Sequence, residues 1–291
     1  MIGSSLCDAL LARGDEVVGL SRDPERARST NPTVRWHAWQ ATIERPPAEA
    51  FEDVDAVVNL IGEPINQRWT AESKRRILES RATATGNLVD GIASLARRPK
   101  VLVSQSAIGY YGDRGDAIVD ESADPGADFA AEVGVAWEAA AHEADGLLRL
   151  VVLRSGLVLD PRDGLLKQLL TPFKLGVGGP IAGGGQYMSW IHVDDEIGLI
   201  LWAMDDENVS GTINATAPNP VTNKELSKAL GRVLHRPAVM PVPGFAVTLL
   251  RGSELAERVK GGQRVVPRRA LDLGHSFQHP ELEPALRDLL R

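Results

Sequence analysis

The chain has 291 residues, 43% of them hydrophobic, and a formal net charge of -7 at pH 7. This length and apolar content exclude a disordered protein, and the acidic balance argues against a surface for nucleic acid or an anionic membrane. Cys7 is the only cysteine, so neither an intrachain disulfide nor a thiolate metal cluster can form, and the six histidines show no metal-ligand spacing. No apolar run reaches the roughly 18 residues of a membrane span. We therefore expect a cytoplasmic protein without a metal site.

The chain opens on a predicted helix, because Ile2, Leu6, Ala9 and Leu10 recur at helical spacing. Near-continuous apolar runs of the kind found in strands buried on both faces follow. The predicted strands cover 16–22, 34–39, 55–62, 100–107 and 148–159, and the helical stretches between them cover 70–96 and 127–144. Strands that alternate with helices predict an α/β fold built on a doubly wound parallel sheet.

From about residue 160 the pattern changes to a helix, a glycine-rich loop, a strand and another helix. Residues 211–217 are predicted to form a further strand. Thr222 and Glu225 then have the spacing of a capping box, which predicts a helix start. Earlier, Asp194 is expected to cap the helix that follows IHVDD, and we assign Asp194 and Asp195 no catalytic role because adjacent side chains point apart.

Seven motifs spread along the chain carry a family resemblance. They are IGSSL, DAVVNLIGEPI, RWTAESKRRILESR, SAIGYYGDRGD, GQYMSWIHVDD, NATAPNPVTNKEL and GQRVVPRRALDLG. Through them the chain resembles the extended short-chain dehydrogenase/reductases of the NAD-dependent epimerase/dehydratase superfamily. More narrowly it is similar to the atypical SDR39U1-like or YfcH-like group, which has a DUF1731-like C-terminal region. The resemblance implies a Rossmann-type NAD(P)-binding domain over 1–160 and 187–217, and a smaller α+β substrate-binding subdomain over 161–186 and 218–291.

Relatives begin with a strand and a loop of the type T-G-G-T-G-F-I-G, of which Ile2 and Gly3 match only the last two positions. The first strand of such a fold is central, and the earlier glycines let the backbone approach a pyrophosphate at the helix N-terminus. Both are missing from this chain. We expect either a start misassigned by roughly a dozen residues, or a protein that lacks the loop and binds a dinucleotide weakly or not at all.

Arg22 ends the predicted second strand, where dinucleotide folds meet the adenosine ribose. An arginine there accommodates a 2′-phosphate, so NADP is the favoured cofactor and NAD the alternative, although Asp23 follows and SRDPER also reads as a solvated turn. Leu60, Ile61 and Gly62 end the next strand and are expected to line the cofactor. The remaining predicted cofactor-binding residues are Ile2, Gly3, Arg81, Ser104, Ser155 and Gly156.

The resemblance leads us to look for a Tyr-x-x-x-Lys pair, and none of the three tyrosines has a lysine four residues later. An alignment anchored on Glu138 puts Ala130 and Gly134 at the two positions, and one anchored on Phe129 puts Phe129 and Val133 there. Neither alignment supplies the usual proton carrier.

Ser106 matches the serine that binds the reacting oxygen in relatives, and Ser104 is the alternative match. A strand-end hydrogen bond is the alternative role of Ser106. Tyr111 is the substitute proton donor, and Ser106 and Tyr111 are the predicted catalytic residues.

A second group of residues is predicted to bind substrate. It comprises Arg68, Trp69, Tyr110, Met188 and Trp190, and for each aromatic residue core packing is the alternative. Arg81 falls where the superfamily has asparagine, and its guanidinium suits a phosphate or carboxylate, or else a salt bridge to a helix acid.

Two functions remain open from the sequence. The first is an NADP-dependent oxidoreductase or epimerase-like enzyme whose small-molecule substrate is anionic, as Arg68 and Arg81 would suit. The second is a catalytically inactive NAD(P)-binding sensor or scaffold, which the missing Tyr and Lys favour. No nucleic-acid or membrane partner is expected, and a homodimer is left open.

Overall fold

Short apolar runs and longer helical stretches alternate along the folded chain as they do in the sequence. The computed structural model describes residues 1–240 and 261–291. In chain order the strands are β1 (Val18–Ser21), β2 (Arg35–Ala38), β3 (Ala56–Asn59), β4 (Val101–Ala107), β5 (Ile118–Val119), β6 (Arg149–Ser155), β7 (Leu157–Leu159), β8 (Tyr187–Met188), β9 (Trp190–His192), β10 (Gly211–Ala215), β11 (Val221–Thr222) and β12 (Arg264–Val265). The helices are α1 (Ile2–Arg13), α2 (Pro24–Thr30), α3 (Ala71–Glu79), α4 (Ala82–Ala93), α5 (Phe129–His142), α6 (Gly164–Lys174), α7 (Val193–Asp205), α8 (Asn223–Val233), α9 (Arg268–Asp272) and α10 (Leu282–Leu289). Two 3₁₀ turns lie at Ala48–Phe51 and Ile108–Tyr111.

Four parallel strands form the main sheet, in the order β10-β6-β4-β3. Alternate side chains of β4 point to opposite faces, so Val101 and Val103 pack with α1 and α7 while Leu102 packs with α4 and α5. Helices therefore cover both faces of a parallel sheet. This confirms the predicted Rossmann-type α/β fold.

A second, two-stranded parallel sheet is formed by β1 and β2, which pair from Val18 opposite Arg35. Among the described residues β1 pairs with β2 and β3 pairs with β4, and no strand lies between β1 and β3. A cavity of about 1900 Å³ separates them, with Gly3, Val18 and Val57 among its lining residues. The N-terminus of α1 and the ends of β1 and β3 therefore border one open space.

Two predicted elements are divided in the structure. The run 148–159 breaks at Gly156 into β6 and β7, and β7 joins β9 in a separate small sheet. A Cβ on Gly156 would lie 2.6 Å from the Ser189 carbonyl oxygen, so only glycine fits this crossing. The stretch 70–96 likewise breaks near Arg81 into α3 and α4.

Helix α7 begins differently from the prediction. His192, and not Asp194, is its N-cap, because the His192 Nδ1 accepts the Asp194 backbone N–H at 3.0 Å. Asp194 lies inside the first turn, where its negative charge still suits the helix N-terminus. The expectation that Asp194 caps this helix was wrong.

The C-terminal part packs around a core of its own. Trp190, Phe173 and Leu230 are buried in it together with residues of α6, α8 and α10. The predicted capping box of Thr222 and Glu225 is confirmed at the start of α8. Part of the predicted substrate subdomain, 241–260, lies outside the described residues. Within the described ranges no helix is both long and apolar enough to cross a membrane.

Candidate functional site

The N-terminus of α1 lies at the rim of the large cavity. No side chain caps this helix, so its first backbone N–H groups are available to an anion. Gly3 lines the cavity, and a Cβ at this position would meet only the Leu60 side chain, at 3.6 Å. Ile2 packs beside it against the core shared by α1 and α7. The end of this helix can therefore approach a ligand closely.

Three more predicted cofactor residues, Arg22, Leu60 and Ile61, line the same cavity. Arg22 follows β1 directly and is exposed. In the described part of the chain it makes no hydrogen bond and no ion pair, so its guanidinium is free to bind an anionic group. One cationic side chain and one helix N-terminus thus face one space.

Arg81 and Gly62 meet at the carboxyl end of β3. A Cβ on Gly62 would lie 2.9 Å from the Arg81 guanidinium carbon, so the glycine allows this contact. The Arg81 Nη1 donates to the carbonyls of Glu63 at 2.9 Å and Ile77 at 3.3 Å, and the Cζ lies 5.0 Å from the centre of the Trp137 ring. Burial lowers the pKa of Arg81 to about 10, against the opposing charge of Glu63.

The other three predicted cofactor residues are packed against protein, with Ser104 and Ser155 buried and Gly156 half-buried. Ser104 is fully buried and accepts a hydrogen bond from the Asn59 side chain at 3.2 Å. Ser155 donates to Glu196 at 2.5 Å, and Gly156 is packed against Ser189. None of the three lines the cavity beside α1. A direct cofactor contact therefore stays a prediction for each of them.

Ser106 belongs to a buried ionic network. Its hydroxyl donates to Glu138 Oε1 at 2.6 Å, and Arg154 donates to both Glu138 oxygens, from Nε at 2.8 Å and from Nη2 at 2.7 Å. Arg154 and Glu138 are only 5% and 6% exposed. Burial lowers the pKa of Arg154, but the paired carboxylate outweighs burial and raises it above the ordinary value. The serine hydrogen is thus directed at a carboxylate.

Tyr111 closes this network on its other side. Its hydroxyl donates to Asn214 Oδ1 at 2.7 Å and accepts from Arg154 Nη1 at 2.9 Å, and the residue is fully buried. Burial raises the pKa of Tyr111 to about 12, although Arg154 and Asn214 act in the opposite direction. The Tyr111 phenol is therefore a weak acid with no exposed surface.

Tyr110 occupies the space beside the two positions that a Tyr-x-x-x-Lys pair would take. Ala130 and Gly134 are both buried in α5, and a Cβ on Gly134 would lie 3.1 Å from the Tyr110 Cα. The half-buried Tyr110 ring stacks on Arg154, whose Cζ is 3.5 Å from the ring centre. The lysine position is therefore filled by a neighbouring residue.

The predicted substrate residues separate into two groups. Trp69 contacts Phe129 at the start of α5, with ring centres 5.0 Å apart, and the exposed Arg68 precedes it. Together with Tyr110, these residues surround α5. Met188 and Trp190 lie elsewhere, and Trp190 is fully buried in the C-terminal core, where its indole donates to the Asn219 carbonyl at 3.1 Å. Trp190 therefore packs inside the C-terminal core, which was its alternative role.

A second buried carboxyl lies on the α7 side of the sheet. Glu196 is fully buried, and its Oε1 accepts hydrogen bonds from Ser155 at 2.5 Å and from Gln105 at 2.9 Å, while Oε2 has no partner in the described chain. Burial raises the pKa of Glu196 to about 7, despite these two hydrogen bonds. The neighbouring Asp195 instead accepts the backbone N–H groups of residues 278 and 279. Asp195 thus holds the backbone of this segment in place, and the absence of a catalytic role for it stays a prediction.

Glu138 and Arg154, the partners of Ser106 and Tyr111, were not among the site residues predicted from the sequence. Glu138 was used only to anchor an alignment, and Arg154 lies inside the predicted strand 148–159 and was given no role. Each is a charged residue inside an apolar stretch, which is the signal that could have found them, since such residues are rarely buried unless paired. Trp137 carried no such signal.

Four possible metal-ligand side chains come together near the C-terminus, which the linear spacing of histidines did not indicate. They are His192, Asp194, His279 and Asp288, with ligand atoms within 4.8 Å of one another. The two imidazoles are stacked with centres 3.8 Å apart, and the His192 Nδ1 already accepts a backbone N–H. Stacked rings do not direct their lone pairs at one ion, so this arrangement supports no metal centre as it stands.

Two family matches cover most of the sequence. Residues 1–215 match the NAD dependent epimerase/dehydratase family, and residues 242–289 match a domain of unknown function, DUF1731. The chain is 38% identical to the chloroplastic epimerase family protein SDR39U1 homolog of Arabidopsis thaliana over 100% of this chain and 84% of that protein. It is 37% identical to the Bos taurus epimerase family protein SDR39U1 over 99% and 96%.

A solved structure of human epimerase family protein SDR39U1 (isoform2) with NADPH superposes with a TM-score of 0.90 at 35% identity, covering 99% of this chain and 95% of that one. The family match and the superposition with the human protein both include the α1 N-terminus and the strand ends described above. The chain therefore belongs to the NAD dependent epimerase/dehydratase family.

Proposed function

We propose that this chain is an NADP(H)-dependent oxidoreductase or epimerase-like protein that acts on a small anionic molecule. The observation that carries the proposal is the cavity bordered by the uncapped N-terminus of α1 and the unpaired Arg22. Both features suit the phosphates of a dinucleotide. The human relative of known structure with NADPH supports the same cofactor.

The residues at this cavity fit an NADP phosphate and ribose. The first N–H groups of α1, at Ile2 and Gly3, would hold the pyrophosphate, and Arg22 would hold the 2′-phosphate. Leu60 and Ile61 contribute apolar side chains to the wall of this cavity. When bound, the nicotinamide supplies hydride transfer.

Proton chemistry in this protein is weakened relative to a Tyr-x-x-x-Lys enzyme. Because the Ser106 hydrogen is directed at Glu138, the serine oxygen is left to accept a hydrogen bond, and so would orient a substrate hydroxyl. Tyr111 keeps its proton, since burial raises its pKa to about 12. Proton transfer then depends on the substrate itself or on water. Arg154 and Glu138 hold Ser106 in position.

An NAD(P)-binding sensor or scaffold without turnover is the second candidate. The packing of Tyr110 against Gly134 favours it, because this contact fills the space of the proton-relaying lysine. The division into a Rossmann-type domain and a substrate subdomain is part of either proposal, with 241–260 outside the described residues. A cytoplasmic location and a homodimer remain predictions, and the Arabidopsis relative is chloroplastic by name.

Turnover separates the two candidates. The protein is incubated with NADPH and a panel of small carboxylic and phosphorylated carbonyl compounds, and NADPH oxidation is followed by absorbance. The enzyme proposal predicts oxidation with some member of the panel and a loss of about tenfold or more in Ser106→Ala. Because an epimerase regenerates its cofactor, each compound is also recovered and checked for inversion of configuration. Tight NADPH binding with neither oxidation nor inversion across the panel would replace the enzyme proposal by the sensor.

A further inference from the structure

The half-buried guanidinium of Arg81 lies next to Trp137 of α5, whose indole N–H is buried and unpaired. Arg81 directly precedes α4 and Trp137 lies in α5, with the Arg81 Cζ 5.0 Å from the centre of the Trp137 ring. Trp137 is 5% exposed, and its Nε1–H has no acceptor in the part of the chain described. A buried donor without an acceptor costs free energy. An acceptor at this place would remove that cost.

Arg81 also makes no close ion pair among the described residues, although the charge of Glu63 acts on it from farther away. Its printed hydrogen bonds go to two backbone carbonyls, and no carboxylate of the described residues lies within 4.0 Å of it. The Glu63 carboxylate is directed to Arg76 instead, at 3.9 Å from its Nε. Consistently, burial lowers the pKa of Arg81 to about 10. A half-buried guanidinium of this kind attracts an anion.

Arg81 lies on a different face of the sheet from the proposed dinucleotide phosphate site. At the end of β3, Leu60 packs on the α1 side and Ile61 on the α4 and α5 side. The α1 N-terminus therefore lies across the sheet from Arg81 and Trp137. Neither Arg81 nor Trp137 lines the cavity beside α1, so an anion held by these two residues would lie outside that cavity.

We propose that Arg81 and Trp137 form a subsite for the carboxylate or phosphate group of a small-molecule substrate. The guanidinium supplies charge, the indole N–H supplies one directed hydrogen bond, and the Trp137 ring keeps the guanidinium in place by stacking. Predicted substrate residues Trp69 and Tyr110 also border α5, so the subsite lies among them. The assignment to a substrate rests on the proposed function, whereas anion binding itself does not.

The indole N–H signal of Trp137 reports directly on this subsite. Proton–nitrogen correlation spectra of the full chain contain the six tryptophan side chains, and Trp137→Phe identifies the signal. We expect inorganic phosphate and succinate, each titrated alone, to shift this signal saturably. In Arg81→Gln the apparent affinity should fall about tenfold or more. Arg75→Gln is the matched control, since Arg75 is an exposed arginine of α3 paired with Glu79, and should titrate like the unmodified chain.

Thermal unfolding in increasing phosphate gives a second readout if Arg81→Gln does not fold. Trp137→Phe keeps an aromatic side chain but loses the indole N–H. This variant should therefore gain less stability from phosphate than the unmodified chain. A Trp137 signal unmoved by both anions, or equal titration of Arg81→Gln and the unmodified chain, would overturn the subsite.

Adding NADPH separates the two sources of an anionic group. We expect phosphate and succinate to shift the Trp137 signal also in the presence of saturating NADPH. If NADPH alone produced the shift and displaced both anions, Arg81 would hold the cofactor, and the substrate assignment would be overturned. A chain that binds both anions but not NADPH would support the subsite and contradict the proposed function.

Discussion

Ser106 was predicted from the family resemblance, and the structure adds the partner to which its hydroxyl donates. Because its hydroxyl donates to Glu138, which is held by Arg154, the serine belongs to a buried ionic network and is not a free hydroxyl. A sequence shows which residues carry charge, but it does not show which two will meet across a helix and a strand. The catalytic candidates were therefore predictable one by one, and their protonation and hydrogen bonding were not.

Neutralising Glu138 should destabilise the protein strongly. Glu138→Gln leaves the Arg154 charge buried without its counterion, and breaking a buried pair in this way costs about 3–5 kcal/mol. Urea unfolding measures the loss. Glu132→Gln, at an exposed position of the same helix, should change stability by about 1 kcal/mol or less. Equal effects of the two substitutions would show that the network contributes little to stability.

Glu196 should make stability depend on pH. Its pKa is raised from 4.5 to about 7 by burial, so the folded state binds its proton more tightly than the unfolded state does. The resulting stabilisation is complete below the unfolded pKa and is lost as pH rises through about 7, with an upper limit of about 3 kcal/mol. Unfolding of the native chain and of Glu196→Gln between about pH 5 and pH 8 tests this. We expect a smaller decline with pH in the variant; parallel curves would contradict the assignment.

At the scale of elements, hydrophobic periodicity predicted each strand of the main sheet, because strands buried on both faces need continuous apolar runs. It did not predict where a run divides. Gly156 separates β6 from β7 through a close approach to the Ser189 carbonyl, which is a tertiary contact. Capping was predictable where it is local, as for Thr222 and Glu225, and failed at α7, where the cap is a histidine.

Two glycines at different helix positions should respond in opposite ways to substitution. Gly86 in α4 has open space around its Cβ position, so Gly86→Ala should raise stability by up to about 1 kcal/mol through helix propensity. Gly134 in α5 faces the backbone of Tyr110, so Gly134→Lys should lower stability by about 1–3 kcal/mol. Thermal unfolding of the two variants and of the unmodified chain measures both changes in stability. A well-tolerated lysine at 134 would mean that the packing of Tyr110 does not close this position.

At the scale of the whole molecule, helix and strand alternation together with the family motifs predicted the fold, and the superposition with the human relative agrees. The site was only partly predictable. Its phosphate side follows from chain order, because parallel strands end at one edge. Its interior depends on pairs such as Arg81 with Trp137, which are 56 residues apart in the chain (137 minus 81). Local sequence patterns carry no information about contacts of that kind.

NADPH is expected to bind at the cavity that separates β1 from β3 and that the α1 N-terminus borders, with Arg22 holding the 2′-phosphate. Equilibrium titration of the full chain with NADPH and with NADH, followed by nicotinamide fluorescence, tests it most directly. We predict saturable binding of NADPH, tighter than that of NADH, and a preference reduced by about tenfold or more in Arg22→Glu. Equal affinities for the two dinucleotides, unchanged in Arg22→Glu, or no binding of either, would contradict the account.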